Sequence, residues 1–481
     1  MNNEDLCYLS ATETLKLFKR RKLSPVELMQ AIIKRTEKVE PVINAFTETF
    51  FDRAMDQARK SEARYMKKGA RLRKLEGLPL AIKDELPVKG DPCTAGSLIY
   101  KDAIADETAV FAQRLLNAGA INHARTTTPE FCCAAVTTSR IWGTTRNPWN
   151  PNFTPGGSSG GSAASLAAGT SMLATGSDIG GSVRIPASCC GVVGFKPPYG
   201  RIPEMPVFNL DFYCHEGPLA RTVSDTILMQ NVVAGPHPTD ITSIKPKLTI
   251  PSTFKSIRGW RIAYSLDLGY FKISKEVREN TLRAVEVYRS LGCKVEEVKV
   301  PWTEESGLAA WNYLSHLFGA SYGPYLKKYG HLMTPYARAF IEGGVKSKSA
   351  DFVNSLVTAA DMYSWFGPMM ENYDVFICPT TTKSGIAANP KMDYDSYKAA
   401  GKSMPDALSW CMTYPFNMLS RCPVLSVPSG HGKNGVPTGI QIVGRTFADT
   451  TVFRAASAFE KATPWLHDKK HRPVIKAKKK R

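Results

Sequence analysis

The sequence predicts an α/β protein, a β-sheet with helices on both faces. From Leu75 onwards short apolar runs alternate with helical patterns, the arrangement of strands covered by helices. With 481 residues and 43% hydrophobic content, the chain can hold one large α/β unit or two to three average domains. Its Pro and Gly clusters are short and evenly spread, so no linker marks a boundary and a single domain over 1–481 is expected.

The elements follow in order. Two helices start at capping boxes, Ser10 with Glu13 and Ser24 with Glu27, the second with Pro25 at its first position. Leu28, Ile32, Ile33 and Phe46 supply an apolar stripe, and a third helix runs from 51 to about 66, ending in Lys67 and Lys68 before Gly69. Residues 1–70 thus read as a helical layer on the core. Strands are expected at 78–82 and 120–124 around a helix near 109–118, then at 260–264 and 295–300 around a helix at 274–291. The segment from about 302 to 371 turns helical and aromatic, with Trp311, Tyr313, Phe318, Tyr322, Tyr325, Tyr363, Trp365 and Phe366. Aromatic residues at helical spacing read first as core. Strands resume at 375–378, 424–427 and 439–443, and a last helix spans 450–462.

The stretch 154–198 stands apart. It holds two glycine-flanked serine clusters, Gly156-Gly157-Ser158-Ser159-Gly160-Gly161 and Gly180-Gly181-Ser182. Gly/Ser-rich runs are commonly linkers, but a linker does not carry Leu166, Met172, Leu173, Ile179, Val183 and Ile185 at packing intervals, nor resume at 190–195 as a buried strand would. Glycine lets backbone N–H groups approach a ligand closely, so Ile179, Gly180, Gly181 and Ser182 can aim several donors at one point, an oxyanion hole with a serine at its edge.

Other catalytic motifs fail on context. Gly157-Ser158-Ser159-Gly160-Gly161 fits G-x-S-x-G, but a nucleophile elbow follows a strand directly and 150–155 is a strand-breaking run. Ser252-Thr253-Phe254-Lys255 fits S-x-x-K without its companion motifs, and no G-K-[ST] follows the glycines. The eight histidines stand in no suggestive context. Lys83 ends an apolar strand-like run, where desolvation would push its ammonium towards a working base; the plain alternative is a snorkelling surface charge.

Lys83, the 156–161 cluster and Asp178-Ile179-Gly180-Gly181-Ser182-Val183-Arg184-Ile185-Pro186 resemble the amidase signature family, the Ser-cisSer-Lys amidohydrolases of the free-standing microbial type. The spacings agree, 75 positions from Lys83 to Ser158 and 24 from Ser158 to Ser182. The likeness extends through Thr128-Pro129-Glu130-Phe131, Trp142 to Trp149, Gly217 to Val223 and Pro437 to Gln441. It implies a large mixed sheet sandwiched between helices, a cis peptide at Gly157-Ser158, and the active site at strand ends. It also implies a catalytic core at 71–235, a variable helical region at 236–370 that builds the substrate pocket, and a return to the sheet at 371–465. Ser182 is then the nucleophile, Lys83 the base and Ser158 the proton shuttle between them. Asp178 and Arg184, either an ordinary structural pair or a catalytic one, are assigned to positioning the nucleophile, with Ser159 in the same network. Cys132 and Cys133 fall where relatives line the pocket, or are two buried structural thiols. Trp311, Tyr313 and Trp365 are the expected aromatic pocket wall.

Composition bounds the rest. No run of eighteen apolar residues occurs and the acidic start leads into no apolar segment, so a soluble, cytoplasmic protein without membrane contact is expected. Eleven cysteines without C-x2-C spacing suit idle thiols in a reducing compartment, and no H-E-x-x-H or zinc-spaced set exists; no metal and no cofactor are expected. The net charge of +19 invites a nucleic-acid reading, but the charge is dispersed. One dense run, Lys476-Ala477-Lys478-Lys479-Lys480-Arg481 within a basic tail at 466–481, reads as solvated and frayed. The expected function is hydrolysis of a linear, aryl or apolar amide by a monomer or homodimer, with esters or carbamates also accepted. The alternatives are the glutamine-hydrolysing component of a tRNA amidotransferase and a basic nucleic-acid-binding protein.

Overall fold

The computed structural model describes residues 2–390, 395, 404–465 and 469–476. Helices α1 (Asn3–Cys7), α2 (Ala11–Lys19) and α3 (Pro25–Ile43) open the chain, the latter two behind their serine caps. The Ser10 hydroxyl accepts from the Glu13 N–H at 3.1 Å, and the Ser24 N–H donates to the Glu27 carboxylate at 2.8 Å. Phe46 does not extend the helical stripe. Asn44 in the left-handed region (φ 50°) ends α3, and Phe46 begins β1 (Phe46–Thr49), so 1–70 contributes a strand as well as helices. Helix α4 (Phe51–Met66) follows.

The sheet is then built in pieces: β2 (Pro79–Lys83), α5 (Val110–Asn117), β3 (Ile121–Thr126), and a short hairpin of β4 (Thr138–Ser139) and β5 (Gly143–Thr144). Next come α6 (Gly160–Ala168), β6 (Leu173–Ser177), α7 (Arg184–Cys190), β7 (Val193–Lys196), β8 (Glu216–Ala220) and α8 (Val223–Val233). Cys190, expected at the head of a strand, instead closes α7, and Gly191 at φ 67° makes the turn. The chain continues through β9 (Arg261–Tyr264), α9 (Lys275–Ser290) and β10 (Lys294–Glu297). The helical insert comprises α10 (Glu305–Tyr322), α11 (Leu326–Tyr329), α12 (Pro335–Val345) and α13 (Ser349–Met370). The end of the fold is β11 (Val375–Pro379), α14 (Pro415–Met418), β12 (Val424–His431), β13 (Pro437–Val443) and α15 (Asp449–Ala462).

Eleven strands form one mixed sheet in the order β1-β3-β2-β6-β8-β7-β12-β13-β11-β9-β10. Strands β2, β3, β7, β8, β11 and β13 are buried at every residue, covered on both faces, which suits the apolar runs of β2 and β11 while β3, β8 and β13 bury polar residues as well. Helix α6 is also buried throughout, and apart from Leu166 its composition of Gly, Ala and Ser is what close approach requires: a Cβ on Gly161 would strike the Thr127 backbone of the adjoining segment. The tail folds back in part, since Lys469 and Arg472 each pair with Asp5 at 3.0 Å and Ile475 is buried. Residues 477–481 of the expected frayed run lie outside the described residues.

Topology alone brings the chemistry together. Strands β2 and β6 are parallel with Ala81 opposite Ala174, so Lys83 and Ser177 emerge at the same end of the sheet. Strand β8 runs antiparallel to β6 with Glu216 opposite Ser177. Three adjacent strands therefore deliver Lys83, Ser177 and Glu216 to one edge, at the carboxyl ends of the parallel pair where open α/β sheets bind ligands.

Candidate active site

Lys83 is fully buried, and its Nζ donates to Ser158 Oγ at 2.8 Å and to Ser177 Oγ at 2.9 Å while facing Glu85 Oε1 at 3.2 Å. Ser177 in turn donates to the same Glu85 oxygen at 2.7 Å. Ser158 precedes α6, and the Gly157-Ser158 peptide is cis. Gly157 is required because a Cβ there would come within 2.7 Å of both the Ala134 carbonyl and the Val136 N–H. Burial pushes the Lys83 ammonium down, but Cys132, Glu85 and Glu216 outweigh it and the net direction is up from 10.5. Burial pushes the Cys132 thiol up to about 11, and the two carboxyls that favour the charged lysine are Glu85 and Glu216. Desolvation at the strand end therefore does not by itself ready Lys83 as a base, which corrects the expectation from sequence.

After β6 the chain turns through Asp178 to Ser182 before entering α7. The Asp178 carboxylate accepts from the Val183 and Arg184 N–H groups at 3.2 and 3.3 Å. Among the described residues, no acceptor takes the N–H groups of Ile179, Gly180, Gly181 or Ser182. Four consecutive donors are thus left beside the Ser182 hydroxyl, the arrangement that stabilises an oxyanion. Gly181 sits at φ 126° with Thr413 packed where a Cβ would be, and the Thr413 hydroxyl donates to the Gly180 carbonyl at 2.6 Å. The Ser182 carbonyl accepts from the Ser159 N–H at 3.2 Å, tying the two serine clusters together. No hydrogen bond joins the Ser158 and Ser182 hydroxyls among the described residues.

Asp178 and Arg184 are both fully buried and bonded through two nitrogens, at 3.0 and 2.8 Å. Arg184 also donates to Gln441 Oε1 at 2.7 Å, Asn417 Oδ1 at 2.6 Å and the Thr413 carbonyl at 2.9 Å. Burial would raise the Asp178 carboxyl, but the adjacent Arg184 guanidinium holds it well below its ordinary range. The pair clamps both ends of the donor turn and anchors it to β13.

Two cavities meet at this point. One, about 600 Å³ including its mouth, is lined by Ser182, Gly180, Cys132, Cys133, Trp311 and Tyr414, with Leu314, Phe318 and Phe340 behind them. The other, about 790 Å³ on the same measure, is lined by Ser158, Ser177, Glu85, Glu204, Glu216 and Tyr322. Cys132, Ile179 and Phe318 border both. Of the expected pocket residues, Cys132, Cys133 and Trp311 therefore reach the site, whereas Tyr313 and Trp365 line neither cavity. On α10, Trp311, Leu314 and Phe318 share one face, and Tyr313 is turned away from it to stack on Tyr213 at 3.8 Å and donate to Asp211 at 2.9 Å. Trp365 packs edge-on to Trp302. Sequence reasoning missed Ser177, Glu85, Glu204, Glu216, Thr413 and Asn417. Glu85 lies two residues from Lys83, a legible signal, while the others depend on strand pairing or on distant loops.

The Amidase family profile matches residues 27–453. An acylamidase of Rhodococcus erythropolis is 34% identical over 478 residues, covering 98% of both chains. One component of the glutamyl-tRNA(Gln) amidotransferase of a Cyanothece species is 32% identical, covering 93% of this chain and 96% of the relative. Among solved structures, a bacterial aryl acylamidase superposes with a TM-score of 0.88 at 28% identity, covering 96% of this chain and 98% of the other. A 6-aminohexanoate cyclic dimer hydrolase superposes with a TM-score of 0.80 at 26% identity, covering 98% and 99%. With the family matched over nearly the whole chain and the donor turn and buried lysine in one site, the chain belongs to the amidase signature family and is an amidohydrolase acting on carbon–nitrogen bonds.

Proposed function

We propose that the protein hydrolyses linear amides with an apolar acyl group through an acyl-Ser182 intermediate. The observation that carries this reading is the Lys83 Nζ to Ser158 Oγ contact of 2.8 Å beside the unpaired N–H groups of 179–182. In the first half-reaction Ser182 Oγ bonds to the amide carbon. Its proton passes to Ser158 Oγ as the Ser158 proton passes to neutral Lys83 Nζ, while the carbonyl oxygen becomes an oxyanion held by the backbone donors. The C–N bond then breaks, and Lys83 returns its proton through Ser158 to the departing nitrogen. Water repeats the sequence on the ester: it bonds to the acyl carbon, loses its proton through Ser158 to Lys83, and Ser182 Oγ recovers that proton as the acid leaves. Backbone donors serve any tetrahedral oxyanion, so activated esters and carbamates fit the same steps.

The Ser182 cavity supports the apolar acyl group, since Trp311, Leu314, Phe318, Phe340 and Tyr414 line it and no charged side chain among the described residues does. That wall disfavours a glutamine-hydrolysing role, because glutamine carries an ammonium and a carboxylate on its acyl side and needs partners for both. Comparing hydrolysis of a phenylacetyl anilide with that of glutamine tests the choice. Turnover of the anilide, lost in Ser182→Ala, is expected; glutaminase activity exceeding it overturns the reading.

A further inference from the structure

We infer that the cavity on the Ser158 side binds a cationic amine-side group, so that the preferred substrate is an N-acylated diamine with a free ammonium. The inference deepens the proposed acyl-serine reaction and rests on it for which side is which. Ser158 is the group that returns a proton to the departing nitrogen, so whatever that nitrogen carries lies on the Ser158 side. There the wall presents three carboxyl groups, Glu85, Glu204 and Glu216, while the opposite cavity presents none among the described residues.

An acidic cluster alone would be weak ground, but Glu216 adds an independent sign. It is only 6% exposed, its side chain makes no hydrogen bond or ion pair among the described residues, and its Oε2 is buried without a partner. A buried carboxyl left without a donor carries an uncompensated desolvation cost, so a ligand that supplies the donor is the natural complement. Glu85 Oε2 is likewise without a partner, and the only side-chain bond to Glu204 among the described residues is from the Cys214 thiol at 3.1 Å. Strand register fixes the group in place: Glu216 lies opposite Ser177, next to Lys83.

Burial pushes Glu204 up to about 8 and Glu216 well above its ordinary range. Glu204 raises Glu216, Glu85 raises both, Asp211 and Asp240 add to Glu204, the Cys214 hydrogen bond lowers Glu204, and Lys83 opposes at Glu216. A bound positive charge relieves that crowding. The cation is organic rather than metallic, since among the described residues no group of three His, Cys, Asp or Glu side chains is arranged to hold a metal ion. Leu86, Met205, Phe208 and Tyr322 supply an apolar sleeve for methylenes.

The test compares the phenylacetyl amide of 1,4-diaminobutane with that of pentylamine, in which a methyl replaces the ammonium. A kcat/KM at least tenfold higher for the ammonium amide is expected, with Glu216→Gln and Glu204→Gln each cutting that ratio at least threefold. Taking a ratio cancels any effect of either variant on Lys83. A wild-type ratio of one or less, or a preference unchanged in both variants, overturns the subsite. Calorimetric titration of free 1,4-diaminobutane separates this failure from that of the hydrolytic reading. Binding that weakens tenfold in Glu216→Gln supports the subsite even if neither amide is cleaved, an outcome that would instead sink the acyl-serine reaction. Cleavage of the neutral amide with no diamine binding overturns the subsite alone.

Discussion

On the Ser182 side the wall is Trp311, Leu314, Phe318, Phe340 and Tyr414; on the Ser158 side, past Ile179 and Cys132, it holds Glu85, Glu204 and Glu216. The apolar wall comes largely from α10 and α12, an insert between β10 and β11, whereas the acidic one comes from strand ends and the loops beside them. Between them the donors are backbone N–H groups that carry no preference for what flanks the carbonyl. On the proposed reading, the difference teaches that reaction and selection are built by separate parts of the chain: Lys83, Ser158 and the turn from 178 to 184 carry the chemistry, and two unrelated segments choose the substrate.

The largest break should come at the junction itself. Ser182→Ala or Lys83→Ala is expected to lower kcat by about 10⁴-fold or more on any amide, since either removes a member of a unit that acts together. Steady-state assays with an anilide and an alkyl amide check this, and retention of a tenth of the activity by either variant contradicts the relay.

Next in size is the clamp that shapes the turn. Asp178→Asn leaves Arg184 buried without its counter-charge and should cost about 3–5 kcal/mol of stability in urea unfolding. Because the Asp178 carboxyl is held below its ordinary value of 3.8, its contribution is fully present above that value and is lost as pH falls through the lower folded-state value. A variant as stable as the parent would mean that Asn417, Gln441 and the Thr413 carbonyl suffice for Arg184.

The apolar wall is sharpened by Trp311→Ala, expected to lower kcat/KM for a phenylacetyl amide by about 10–200-fold relative to the acetyl amide of the same amine. The same change should leave discrimination between amines alone, while Trp365→Ala, which lines neither cavity, should move neither ratio. An effect of Trp365→Ala equal to that of Trp311→Ala would contradict the division.

The smallest expected effect is on pH. A neutral Lys83 is needed for the first proton transfer, and its ammonium is favoured by Glu85, so kcat/KM should rise with pH on the alkaline side. Glu85→Gln removes a charge that favours the ammonium and should move that rise to lower pH. A profile that falls between about pH 6 and 8 with the fold intact contradicts a neutral-lysine base.

Much of the junction was legible because backbone requirements leave marks in sequence. Gly157, Gly180 and Gly181 belong to the motif, and at Gly157 and Gly181 close approach or positive φ excludes a side chain; serine caps announced α2 and α3. Strands β6 and β8 escaped notice since Leu-Ala-Thr-Gly-Ser and Glu-Gly-Pro-Leu-Ala carry glycine, proline and polar residues that local propensity assigns to loops; only burial between neighbours makes them strands. Missing them hid Ser177 and Glu216, whose meeting with Lys83 is a matter of register. Tyr313 and Trp365 share composition with Trp311 but not its face, which helical packing decides.

The most direct test of the central claim is mass spectrometry of the intact and proteolysed protein after treatment with a fluorophosphonate. A single stoichiometric adduct on Ser182, absent in Ser182→Ala and slowed in Lys83→Ala, is the predicted result. An adduct on Ser158 or Ser177, or labelling undiminished by Ser182→Ala, would contradict the assignment of the nucleophile.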